Sequence, residues 1–183
     1  MRRNCCRGRH TGFNVRSLAE SLKYYHDTLG LEIAEVRTEG PNEYIDKLTC
    51  IQGVVQHWAK VRCSDGYLLE LVEWVKPDFY VPDTLVPQSY NDLGINHICF
   101  QVDSVDEVHK LLVDADYACR QIQTDPPGRV KNFSGYDPDG NIVEFVEVLE
   151  QPVISIPSIW PGNNTATTPE WAANQTFDPN LRR

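Results

Sequence analysis

The chain is expected to fold as an α+β protein of two tandem modules made by internal duplication, and three observations carry that expectation. Residues 10–20 (HTGFNVRSLAE) and 97–107 (HICFQVDSVDE) agree at His, Phe, Val, Ser and Glu. That is five of eleven positions, where ordinary composition gives roughly one. Residues 68–74 (LLELVEW) and 142–148 (IVEFVEV) align Glu70 with Glu144 and Glu73 with Glu147, and the other five positions are apolar in both. Two matching starts and two matching ends in the same order constitute a repeat. The His-to-Glu spacing is 60 residues in the first module and 47 in the second, so the two have diverged in the middle.

Each element follows from local pattern. HTGFNV alternates, with His10, Gly12 and Asn14 on one face and Thr11, Phe13 and Val15 on the other, as a short strand requires. Ser17 with Glu20 three residues on is a capping box, Leu18, Leu22, Tyr25 and Leu29 recur at helical spacing, and Gly30 supplies the stop. The stretch 44–74 reads as strand-rich, interrupted by the turn SDG at 64–66. Module one (9–75) is thus β-α-β-β-β. A Pro-rich connector (76–94) links it to module two (95–150). There INHICFQV forms a strand, Ser104 and Glu107 a second capping box, and a helix runs over about 105–116. RVKNFSGY is a strand, DPDGN (137–141) a turn and IVEFVEV the last strand. Residues 151–183 are rich in Pro, Asn and Thr without period, and read as an irregular tail.

Composition excludes several function classes. Lys plus Arg number 17 against 26 Asp plus Glu, a net charge of −9, which argues against nucleic acid and against an anionic membrane surface as partners. No apolar run approaches the ~20 residues of a spanning helix. The basic start MRRNCCRGR has no apolar segment behind it, so it does not read as a secretory signal, and a cytoplasmic location is expected. The Asn-X-Thr/Ser triplets at 132, 163 and 174 then carry little weight. Cys5, Cys6, Cys50, Cys63, Cys99 and Cys119 lack CxxC or framework spacing and are expected as free thiols, several of them buried.

The repeated positions carry chemistry. His10 and His97 lie opposite the Phe and Val residues expected to pack on the helices. Glu70 and Glu144 each sit mid-strand on an otherwise apolar face, which is costly for a carboxylate unless it is paired or metal-bound. Two imidazoles and two carboxylates suit a divalent transition metal such as Zn, Ni, Co, Mn or Fe. Glu73 and Glu147, near the strand ends on the opposite face, are expected to be simply solvated. His57 reads as strand decoration. Arg16, Arg37, Arg129 and Lys131 are candidates for an anionic substrate, equally well explained as solvated surface.

These segments resemble the vicinal oxygen chelate superfamily, which includes glyoxalase I, methylmalonyl-CoA epimerase, extradiol dioxygenases and the fosfomycin and bleomycin resistance proteins. The resemblance covers about residues 9–150, through HTGFNVRSLAESLKYYHDTLGLEI, LLELVEW, NHICFQVDSVDEVHKLL and YDPDGNIVEFVEV. It implies two βαβββ modules pairing their sheets into a cupped, incomplete β-barrel, with His10, Glu70, His97 and Glu144 as metal ligands. A homodimer is expected, since in some relatives the cup is completed across two chains. No thiol-cofactor or acyl-CoA signature matches.

Four protein ligands leave an octahedral metal two open positions, enough for a small substrate chelating through neighbouring oxygens. The expected chemistry is metal-assisted proton transfer beside a carbonyl, of lyase or epimerase type, with Glu144 or Glu70 as the proton shuttle. Glu70 favours the glyoxalase-like set, because epimerases of this family often carry an amide there. The alternatives are an Fe(II) extradiol-type dioxygenase, in which Glu70 is not a ligand, and a metal-free binding protein of the bleomycin type, whose representatives usually lack the ligands.

Overall fold

A computed structural model describes residues 8–78, 89–91 and 94–150. Most of the connector, the whole of 151–183, Cys5 and Cys6 lie outside the described residues. The first module runs β1 (His10–Asn14), α1 (Leu18–Leu22), β2 (Glu32–Glu39), α2 (Glu43–Thr49), β3 (Val55–Arg62) and β4 (Leu68–Lys76). The second runs β5 (His97–Gln101), α3 (Val105–Asp114), β6 (Gln123–Thr124), β7 (Val130–Tyr136) and β8 (Ile142–Val148). The strands make two four-stranded sheets of matching order, β1-β4-β3-β2 and β5-β8-β7-β6. In each, the first strand lies parallel to the last and the remaining pairs are antiparallel. Both sheets stay open, as the expected incomplete barrel requires.

Alternation decides which face is buried. Leu69, Leu71, Val143 and Phe145 are buried in a shared core with Val15, Leu18, Val105 and Leu112, and Phe13, Phe100 and Val102 pack against it. The outward positions of the first strands, His10, Gly12 and Asn14 and then His97, Cys99 and Gln101, are exposed. The helix side also ties the modules together. The Tyr25 hydroxyl donates to Asp137 Oδ2 at 2.9 Å, Arg16 Nε reaches Asp139 Oδ1 at 2.7 Å, and the Tyr24 and Tyr117 rings meet edge to face at 4.7 Å. Asp137 meanwhile holds its own turn by accepting from the backbone N–H groups of Asp139 and Asn141, so the expected DPDGN turn doubles as an inter-module latch.

Three local expectations are corrected. The expected first helix is α-helical only to Leu22, and residues Lys23–Thr28 continue as a π-helix, with Leu29 N–H donating to Tyr24 O and Leu31 N–H to Tyr25 O. A π-turn rotates less per residue than an α-turn, which lets the adjacent Tyr24 and Tyr25 both be fully buried. Residues 43–49 form α2 instead of strand. Asn42 Oδ1 accepts from Ile45 N–H, and Asp46 then ties the helix to the following chain through Gly53 N–H and Val54 N–H. Gly40, before this helix, has φ of +83°, and a Cβ there would stand 2.0 Å from Val54 O, so no other residue fits. The helix in module two matches its expected start and ends at Asp114. Finally, none of Cys50, Cys63, Cys99 and Cys119 is fully buried, though all four are free thiols as expected.

Candidate metal centre

The parallel pairing of first and last strand puts Gly12 opposite Glu70 and Cys99 opposite Glu144. Each histidine is therefore two residues before the position facing its glutamate, on the same face. The side chains meet in both modules: His10 Nε2 lies 3.3 Å from Glu70 Oε2, and His97 Nε2 lies 3.2 Å from Glu144 Oε2. Both glutamates are mostly covered, with 20% of the side chain exposed in each. Among the described residues, no group of three or more His, Cys, Asp and Glu side chains comes together as one cluster. The chain thus brings the four expected ligands together as two pairs, not as one set of four.

The other oxygen of each carboxylate is held differently. Glu70 Oε1 faces the Lys60 ammonium at 3.1 Å, from the residue directly opposite on β3. The Lys60 ammonium also lies 4.3 Å from the centre of the Trp58 ring. Glu144 Oε1 accepts from Asn132 Nδ2 at 2.8 Å, from β7. Beside Glu70 stands Gly12, and beside Glu144 stands Cys99. That residue is exposed overall, but partial burial of its thiol, then the Glu144 charge and a hydrogen bond to that carboxylate, push it up to about 11.

His97 is oriented further. Asn96 Nδ2 donates to Tyr90 O at 2.5 Å, which turns Asn96 Oδ1 toward His97 Nδ1 at 2.6 Å. An amide oxygen only accepts, so Nδ1 carries the proton and Nε2 presents its lone pair in the neutral ring. A lone pair and a carboxylate oxygen 3.2 Å apart repel unless a proton or a cation lies between them. That donor geometry fits a divalent metal, with the second nitrogen of the ring fixed by a hydrogen bond as in metal-bound histidines generally. In module one, Lys60 occupies only Oε1 and leaves Oε2 on the histidine side, so that pair fits as well.

Two residues behave otherwise than expected. Glu73 and Glu147 are not simply solvated: Glu73 Oε2 accepts from Leu18 N–H at 2.7 Å and Glu147 Oε2 from Val105 N–H at 2.9 Å. Each caps the helix of its own module, alongside the expected caps in which Ser17 and Ser104 accept from Glu20 and Glu107 N–H. His57 Nδ1 meets Thr38 Oγ1 and joins neither pair. Arg16, Arg37, Arg129 and Lys131 are engaged with Asp139, Glu35, Asp125 and Asp106. Lys60, Asn96 and Asn132 are the site residues the sequence reading passed over. Lys60 was within reach, because the hairpin around SDG sets its register opposite Glu70.

Two βαβββ modules with open four-stranded sheets, each carrying a His/Glu pair on its outward face, define a two-module glyoxalase-like fold. The model of the Glyoxalase/Bleomycin resistance protein/Dioxygenase superfamily matches residues 8–145, and the chain belongs to that superfamily. Its members commonly use a divalent metal ion, bind small molecules and often dimerise. The chain is similar to lactoylglutathione lyase of Schizosaccharomyces pombe, 25% identical over 149 residues that cover 77% of the chain. It spans about half, 47%, of that relative's length. Among solved structures it resembles a glyoxalase family protein from Bacillus cereus, with TM-score 0.73, 18% identity, and 82% and 99% of the two chains covered. It also resembles a glyoxalase I variant from Zea mays, with TM-score 0.57, 17% identity, and 80% and 47% covered. These structural likenesses concern the fold. Among the described residues no helix is long and apolar enough to cross a membrane.

Proposed function

We propose that the protein is a divalent-metal-dependent enzyme of glyoxalase type, with His10, Glu70, His97 and Glu144 as metal ligands and a small carbonyl or hydroxy compound as substrate. The observation that carries this reading is the repeated pair, His10 with Glu70 and His97 with Glu144, in the same register at 3.3 and 3.2 Å. Because a single chain presents the ligands two by two, the complete set forms when module one of one chain meets module two of a partner in a homodimer. A metal held there supplies Lewis-acid polarisation of a substrate oxygen.

The residues of the chain divide the remaining work. His97, steered by Asn96, and His10 supply neutral donors. Glu144 takes a proton from the carbon beside the substrate carbonyl and returns it, as a lyase or epimerase of this kind requires. Glu70 is the poorer shuttle, since protonating it would strand the Lys60 ammonium beside it, whereas the partner of Glu144 Oε1 is the neutral Asn132. The apolar core behind both strands keeps water from the rear of the site.

Metal analysis of the purified protein tests the reading, with about one divalent ion per chain expected; a protein that binds none sinks it. Solvent deuterium entering a 2-keto or 2-hydroxy substrate supports proton transfer, whereas substrate-dependent oxygen consumption would point to the dioxygenase alternative. Mixing His10→Ala and His97→Ala chains tests assembly. If sites are shared between chains, each heterodimer has one intact site, and about a quarter of the wild-type activity returns after random exchange. Sites built within one chain would give no recovery.

A further inference from the structure

The cleft beside Glu144 carries a guanidinium that the metal chemistry does not use. Arg120 and Glu144 share the walls of an open cleft of about 590 Å³, together with Tyr90, Gln121, Gln123 and Asn132. Arg120 is fixed from several sides. Its backbone N–H donates to Ser134 O at 2.8 Å, and Ser134 lies directly opposite Glu144 in the sheet. Its Nη2 donates to the Tyr136 hydroxyl at 2.9 Å, and the guanidinium lies 5.3 Å from the Tyr90 ring centre and 5.8 Å from that of Tyr136. Two aromatic rings hold the planar group, and the Tyr136 hydroxyl takes one N–H donor of the guanidinium fork.

The charge setting makes this arrangement informative. The protein carries 26 acidic and 17 basic side chains, and Arg16, Arg37, Arg62 and Arg129 each pair with a carboxylate. Arg120 has no carboxylate partner among the described residues. An arginine left unpaired in an acidic protein, held by tyrosines and lining a cleft with neutral amides, is built to receive an anion from outside.

We propose that Arg120 is a substrate-positioning residue that binds an oxyanion, carboxylate or phosphate, at the far end of the substrate. The proposal rests on the reading of Glu144 as part of the metal centre. Two strand spacings, roughly 10 Å of backbone separation, lie between Arg120 and Glu144, because the chain around Cys119 pairs with Gly135 as a further edge beyond β7. The substrate would therefore carry its anionic group several bonds from its chelating oxygens. The guanidinium fork matches either oxyanion in a bidentate manner.

The test titrates the full-length chain with succinate and, separately, with inorganic phosphate, following the Arg120 Nε–H resonance. A saturable shift with either ion is expected, and the tighter-binding one identifies the chemistry of the substrate's anionic group. In Arg120→Gln the tyrosine resonances that report the same binding should need at least tenfold more ligand, and Arg120→Lys should fall between. Tyr90→Leu, which removes one stacking face and no charge, should weaken binding by a few-fold, and serves if Arg120→Gln fails to fold. Absence of any shift with both ions, or equal affinity in wild type and Arg120→Gln, overturns the proposal. Mn(II) affinity measured on the same samples should be unchanged by Arg120→Gln. A chain that binds no metal yet shows the anion shift would overturn the metal reading and leave the anion site standing.

Discussion

The half-sites of the two modules share a frame and differ in what surrounds it. In both, a first-strand histidine meets a last-strand glutamate in the same register, and a second glutamate three residues on caps the module's helix. Around Glu70 stand an ammonium and a glycine; around Glu144 stand an amide and a thiol. The difference teaches that duplication here preserved what the backbone and the proposed metal need, while the neighbours on the second sheet-face row were free to specialise. Under the proposed function, module one would be a charge-balanced holder of metal, and module two the half in which a proton is moved.

Glu144→Gln and Glu70→Gln break that contrast most directly. The first is expected to lower solvent deuterium exchange into substrate by ~10²–10⁴-fold, and the second to lower it only as far as metal occupancy falls. Equal losses at saturating metal would erase the division of roles.

The thiol sharpens the comparison next. Its folded value of about 11 lies above the ordinary 9.0, so in the metal-free chain the neutral thiol persists until the pH approaches 11. Iodoacetamide labelling of Cys99 at pH 8, read by peptide mass spectrometry, should run ~100-fold below a free thiol and keep climbing with pH. Glu144→Gln removes the negative neighbour and should shift that climb to lower pH.

The helix caps should behave alike if the modules are truly equivalent there. Glu73→Gln and Glu147→Gln are each expected to cost about 1–2 kcal/mol in urea unfolding, the usual range for a cap bonded through a charged group. A loss confined to one variant would show that only one of the caps matters. The smallest effect belongs to Lys60→Met, which releases Glu70 Oε1 and should tighten Mn(II) binding by a few-fold. Weaker binding would mean that Lys60 supports the centre instead of competing with it.

The features legible in the sequence were those set by short-range pattern or by repetition. Alternation placed His10, Glu70, His97 and Glu144 on the outward faces, and the Ser/Glu spacing located both helix starts. Other features depended on partners far along the chain. Most of EYIDKLT falls in the stretch 44–74 that reads as strand-rich, but the helix is decided by Asn42 and by the bonds from Asp46 to Gly53 and Val54. The π-turn arises from burying Tyr24 and Tyr25 together against a second module that periodicity cannot see. The tyrosine cradle of Arg120 joins residues 90, 120 and 136, which share no local signature.

The capping glutamates have a consequence for how the last strand finds its place. Apolar alternation forbids a slip of one residue, because that would turn Leu69 and Leu71 to the outside, yet it tolerates a slip of two. A two-residue slide of β4 against β1 would keep every face correct while carrying Glu73 away from Leu18 N–H and Glu70 away from His10. The bond from Glu73 to the helix start therefore works as a vernier: it resolves the ambiguity that hydrophobicity leaves, and it does so three residues from the carboxylate whose position matters. The same mark is cut into the second module at Glu147, so each half aligns its own histidine and glutamate.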